Sequence, residues 1–175
     1  EKNEFNLNIP RYIDTQESED LQDIDAHLNG GIPERDIDAL AHYWQVYPNL
    51  RRDIFKANPR KGYLDLKIEK DQIKKTIFEH ADFIAYNTEL QKTFDGWKTT
   101  ATKYLKGLGK NAHPKQVIEK IAEDLLSAYS NIGLIDKYDI YQHLMDYWNE
   151  AMQDDLYEIA ADGYEAGNIV TRLER

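Results

Sequence analysis

The chain contains no cysteine among its 175 residues. That removes a disulfide framework, a thiolate zinc site and a cysteine nucleophile together. It has no run approaching the roughly 18 apolar residues of a membrane-spanning helix. No basic start leads into an apolar stretch, so nothing reads as a signal peptide. Internal repeats and low-complexity tracts are absent too. The first residue is Glu1, not Met, as expected of a processed product or a piece of something longer.

What is present reads as a folded domain. The length suits one domain of about 100–200 residues, and such a chain buries roughly two thirds of its unfolded surface. Hydrophobic residues make up 41% and Tyr outnumbers Phe by 12 to 5, which is globular rather than disordered, while 31% charged residues imply a well-solvated surface. The net charge of −10 is unevenly placed. Residues 51–120 hold 16 Lys+Arg against 9 Asp+Glu, a local +7, and the remainder holds 6 against 23, or −17. That balance argues against a free-standing nucleic-acid binder, which needs a basic face. The basic middle leaves a phosphate-facing option beside the plainer reading of solvated helix faces.

The pattern along the chain predicts mainly α structure: a helical bundle, residues 17–175, behind an extended arm, residues 1–16. In the arm Phe5, Leu7 and Ile9 alternate with polar residues as a half-buried strand does, and Pro10 stops them. Such an orphan strand would suit the edge of a sheet lying upstream. A short helix comes next, from Glu17 to Leu28, closed by Asn29-Gly30-Gly31. A second begins near Pro33 and carries Ile37, Leu40, Ala41, Trp44 and Tyr47 up to Pro48. Leu50–Phe55 suits one or two further helical turns. Tyr63–Ile68 alternates as one short β-strand. Beyond it one helix carries Ile73, Ile77, Ala81 and Ile84, and another carries the near-heptad seam Leu90, Phe94, Trp97, Ala101, Tyr104, Leu105 and Leu108. A third runs from Pro114 to Tyr129. A long acidic helix with Ile140, Leu144, Tyr147, Trp148, Ala151 and Ile159 ends near Gly163.

The search for chemistry returns no catalytic, cofactor-binding or metal-binding residues. Of the five histidines, His27, His42 and His143 stand four residues from a carboxylate, Asp23, Asp38 and Asp139, and a metal needs three or four converging ligands. Asp154, Asp155, Glu158 and Asp162 read as a solvent face, since paired carboxylates need burial to become acid–base catalysts. Gly107-Leu108-Gly109-Lys110 comes after a helix and lacks phosphate-loop spacing, so it reads as a helix cap. Asn58-Pro59 lacks the second Pro and the aromatic that would hold an extruded base. The three tryptophans, at helical spacing, read as core residues.

Two stretches carry a resemblance. Asn6-Leu7-Asn8-Ile9-Pro10-Arg11-Tyr12-Ile13-Asp14-Thr15, and Leu28-Asn29-Gly30-Gly31-Ile32-Pro33 continued by Ile37-Asp38-Ala39-Leu40 and Tyr43-Trp44, resemble the region C-terminal to the catalytic domain in HsdM-type modification subunits of type I restriction–modification systems. Asp154-Asp155 and Ile159–Tyr164 are similar to that family's late helix. The resemblance implies a parent enzyme that methylates adenine N6 in double-stranded DNA with S-adenosylmethionine, its motifs upstream of Glu1, in the cytoplasm. It implies as partners the specificity subunit and, through the complex, the restriction subunit, with no membrane. This chain would be the helical assembly region, itself binding no S-adenosylmethionine, that docks the specificity subunit and helps enclose DNA. The alternative is an acidic DNA mimic or another helical interaction module. The docking stripe expected from the final helix is Leu144, Tyr147, Trp148 and Ala151.

Overall fold

The computed structural model describes residues 22–165 and is mainly helical, with a small antiparallel sheet. The arm, with its strand candidate Phe5–Ile9, and residues 166–175 lie outside the described residues. Helix α1 (Ile24–Asn29) starts where the Asp23 carboxylate accepts from the Ala26 amide at 3.0 Å, an N-cap that answers an otherwise unpaired donor. Strand β1 (Ile32–Pro33) leads into α2 (Glu34–Asp38) and α3 (Ala41–Val46). One continuous helix was expected here. It breaks because the Ile37 carbonyl is taken by the Leu40 amide and by the Trp44 indole N–H at 2.6 Å, instead of by the next helical turn. Tyr47 leaves helical geometry before Pro48, as residues preceding proline do.

Helix α4 (Leu50–Ile54) runs into β2 (Phe55–Ala57), which turns back through Asn58–Gly62 to β3 (Tyr63–Leu66). The sheet order is β1-β3-β2, with Ile32 opposite Leu64 and Phe55 opposite Leu66. The expected strand is therefore the central one, and its two neighbours were not foreseen. Pro33 sits on an edge, where its missing N–H leaves no ladder bond unmade. The inner face packs Tyr47, Leu50 and Ile54 with Phe55, Leu66, Ile68, Ile77 and Phe83.

Helices α5 (Ile73–Glu79) and α6 (Ala81–Lys106) meet at His80. The break expected between Ile84 and Leu90 lies here instead, and α6 runs unbroken for 26 residues. His80 makes the boundary: its Nδ1 accepts from the Asp82 amide at 3.1 Å and caps α6, while its Nε2 lies 3.2 Å from the Asp53 carboxylate. The Asp82 carboxylate in turn accepts from the Asn49 amide (2.7 Å) and side chain (3.0 Å). Burial works against the charge on Asp82, but the Asn49 hydrogen bonds outweigh it and His80 adds to them, so this carboxyl titrates below the usual range. The His80 hydrogen bond does the same for Asp53. Folded values depressed in this way contribute stability that is present above the unfolded value of about 4 and lost as pH falls through the lower folded value. Urea midpoints should therefore fall with acidification from about pH 4 downward. Asp82→Asn should be less stable at neutral pH and respond less to acid; an unchanged acid slope would contradict this.

The rest is the bundle. Helix α7 (Pro114–Ala128) opens on proline, which loses no hydrogen bond at the first helical position, and buries Val117, Ile121, Ala122 and Leu125. Helix α8 (Lys137–Tyr147) passes through a π-helical turn, Trp148–Met152, into α9 (Gln153–Asp162). The long acidic helix expected from the sequence is thus nearly continuous, but its face shifts in the middle. The Trp97 indole donates to the Ile121 carbonyl at 3.0 Å, fixing α6 on α7. Trp148 packs with Val117 and Leu156. The Tyr86 hydroxyl donates to the Gly133 carbonyl at 2.5 Å and ties the sheet-bearing part to the bundle. No helix among the described residues is long and apolar enough to cross a membrane.

Candidate functional site

Helix α7 packs against both α6 and α8, while α6 and α8 do not close on each other. The result is a groove with α7 as its floor. Its volume is about 550 Å³, in the range of ligand and peptide sites. Ile121, Leu125 and Tyr129 form the floor, Phe94, Ala101 and Leu105 one wall, and Ile140, Leu144 and Tyr147 the other. Phe94, 39% exposed, stands on the α6 wall. Lys98 marks one lip and His143 the other. Burial pushes the Tyr129 hydroxyl above its ordinary value, so the floor is uncharged near neutral pH. Apart from tyrosine hydroxyls, Lys98 and His143 are the only ionisable side chains among the residues that line the groove. The arrangement is suited to covering apolar area, as a helix-binding groove does.

The seam and the stripe read from the sequence face one another across this groove, but the four docking candidates do not act together. Leu144, 7% exposed, lines the wall from inside the core, and Tyr147, 59% exposed, stands on the lip. Trp148, 6% exposed, points away into the cluster with Val117 and Leu156. Ala151 is exposed but outside the groove. The expected exposed stripe is therefore corrected at Leu144 and Trp148, which stand one helical turn apart on the buried side, while Ala151 is exposed as expected but off the groove. At Ala151 the π turn is the cause: its extra residue passes the inner face on to Met152 and Leu156.

The remaining sequence candidates have structural positions. The Asp23 carboxylate is used elsewhere than on the His27 side chain: it caps α1 and accepts from the Tyr63 hydroxyl at 3.1 Å, and the Ala26 amide holds it below the usual range. Asn58 is a turn residue, donating to Asp65 at 2.7 Å and accepting from the Arg60 amide at 2.8 Å. Gly107 ends α6. Among the described residues no group of His, Asp or Glu is placed to hold a metal ion.

Gly30 is the α1 cap expected from the sequence, with φ +74°, but sequence reasoning missed the second demand for glycine, at Gly31. At Gly31 the backbone has φ +85°, and a Cβ would meet Tyr63 Cβ at 3.2 Å, Arg60 Nη2 at 3.3 Å and Asn58 Nδ2 at 3.3 Å. The Arg60 guanidinium lies 4.2 Å above the Tyr63 ring, donates to the Gly30 carbonyl and meets Asp25 at 2.5 Å. Adjacent glycines before Ile-Pro were the available signal. No protein-family model, curated protein or solved structure matches the chain.

Proposed function

We propose that this chain is the helical assembly region of a type I modification subunit, and that the groove between α6 and α8 receives an amphipathic helix of the specificity subunit. The parent would carry adenine-N6 methylation with S-adenosylmethionine in a domain preceding this one. The observation that carries the docking role is the open, apolar groove itself: a three-helix arrangement that leaves Phe94 and Tyr147 exposed on facing walls. A guest helix would insert apolar side chains at i, i+3, i+4 and i+7. Its flanks are also constrained. The α6 lip offers Lys98, while the α8 lip carries Asp139, His143 and Asp146 at same-face spacing, so an acidic flank against α6 and a basic flank against α8 fit best.

Phe94→Ala combined with Tyr147→Ala tests this. Aromatic anchors at the centre of an interface cost about 2 kcal/mol or more on truncation, on the order of thirtyfold in affinity. Both residues are exposed, so the melting temperature should stay nearly constant. Titration calorimetry of the specificity subunit against wild type and variant is the measurement. Equal affinities in a folded variant, or no binding by wild type, would overturn the proposal.

A further inference from the structure

Asn29 is the one asparagine in this chain that is followed by glycine. It is the last residue of α1, and Gly30 leaves the helix at φ +74°. Both residues are exposed. Among the described residues the Gly30 amide donates to nothing, and no side chain of its own screens that nitrogen. The Asn29 side chain donates to the Asp25 carboxylate at 2.6 Å, in contact with water. Helix α1 has only six residues, and none of them is buried. Polar contacts hold it in place: Asp23 meets Tyr63 and Arg35, and Asp25 meets Arg60. With so little buried, its last turn opens locally at small cost.

We propose that Asn29 is a site of spontaneous covalent modification: its carboxamide becomes a carboxylate by way of a cyclic imide with Gly30, and the product loosens α1 from the sheet. The Gly30 nitrogen gives its proton to solvent and attacks Asn29 Cγ. A C–N bond forms, the Cγ–Nδ2 bond breaks, and Nδ2 takes up a proton and leaves as ammonia. Water then adds to either imide carbonyl and opens the ring to aspartate or isoaspartate. Water is consumed and ammonia released, with no oxidation or reduction. The neighbours oppose the product. The Asn29 amide donates to Asp25, whereas a carboxylate there only accepts, so an attraction becomes a repulsion. The new charge also stands at the negative end of α1. Asp25 is one anchor of Arg60, which in turn lies on Tyr63 and donates to the Gly30 carbonyl. The isoaspartyl form further lengthens the main chain just before Gly31, which packs closely against Tyr63, Arg60 and Asn58. The reaction thus acts as a slow, one-way release of α1. It involves neither the groove nor a partner, so it stands apart from the docking reading.

The test is ageing of the whole chain at mildly alkaline pH, then digestion with trypsin and mass spectrometry. The peptide Tyr12–Arg35 has Asn29 as its one asparagine and should gain the mass of an amide-to-acid exchange. Labelling by an isoaspartyl methyltransferase reports the second product. Asn87, Asn111 and Asn131 are exposed too, but are followed by Thr88, Ala112 and Ile132, and they should persist while Asn29 is lost. Gly30→Ala should keep Asn29 intact over the same interval. Asn29→Asp, the genetic form of one product, should lose hydrogen-exchange protection in α1 and retain it in α7. Loss of Asn29 no faster than of the other three, or undiminished in Gly30→Ala, would overturn the site. Equal α1 protection in Asn29→Asp and wild type would overturn the release.

Discussion

Trp148→Ala should lower the melting temperature of the chain by about 6–20 °C, the product of a core cost and its temperature scaling. The indole is 6% exposed and is wedged between Val117 of α7 and Leu156 of α9, with Tyr104, Leu105, Leu108 and Met152 packed around them. It therefore joins three helices at the point where the π turn bends the last segment. Emptying a core site of this size costs about 3–5 kcal/mol, because the lost transfer energy is joined by a cavity that neighbours close only in part. For a domain this long, about 2–4 °C accompanies each kcal/mol. Since whole domains hold only about 5–15 kcal/mol, the loss is a large share of the total. Tyr147→Ala, one residue earlier and 59% exposed, should move stability by no more than about 0.5 kcal/mol. Thermal scans of the two variants side by side decide whether Trp148 belongs to the core and Tyr147 to the surface. Equal shifts would contradict it.

The same pair shows what could be read from the sequence and what could not. Apolar spacing located the helices well, because a buried stripe at period 3.6 is imposed by geometry that every neighbour shares. It could not tell Tyr147 from Trp148, since both fall within one wide stripe, and which of two adjacent residues about 100° apart on a helix faces inward is set by how the helix packs. Strands β1 and β2 were invisible for another reason. Two and three residues are too few to display alternation, and both exist only because β3 supplies their hydrogen bonds. The break at His80 was hidden by helix formers on both sides; it arises from Asp53 and Asn49, distant in sequence, which fix the cap. The groove was half legible. Its two walls were the seam around Leu90–Leu108 and the stripe Ile140–Ala151, but that α7 holds them apart is a matter of packing order.

The second large effect belongs to the loop before the sheet. Gly31→Val should destabilise the chain by about 3 kcal/mol, the sum of a backbone cost and a packing cost. A β-branched residue at φ +85° is a backbone outlier, and left-handed geometry alone costs roughly 1–2 kcal/mol for a side chain with a Cβ. The new side chain must also displace Tyr63, Arg60 and Asn58, each about 3.2–3.3 Å from the position of its first atom, and overpacking of that kind adds about 1–3 kcal/mol. None of the three can retreat freely. Tyr63 is held in β3 and by Asp23, Asn58 by Asp65, and Arg60 by Asp25 and the Gly30 carbonyl. Gly30→Ala isolates the first cost, since its φ is +74° but a Cβ there would meet nothing within 4 Å. Urea unfolding of the two variants should place Gly31→Val clearly below Gly30→Ala. Equal midpoints would mean that the clamp of Asn58, Arg60 and Tyr63 around the glycine pair yields without cost, and that backbone conformation alone requires glycine at both positions.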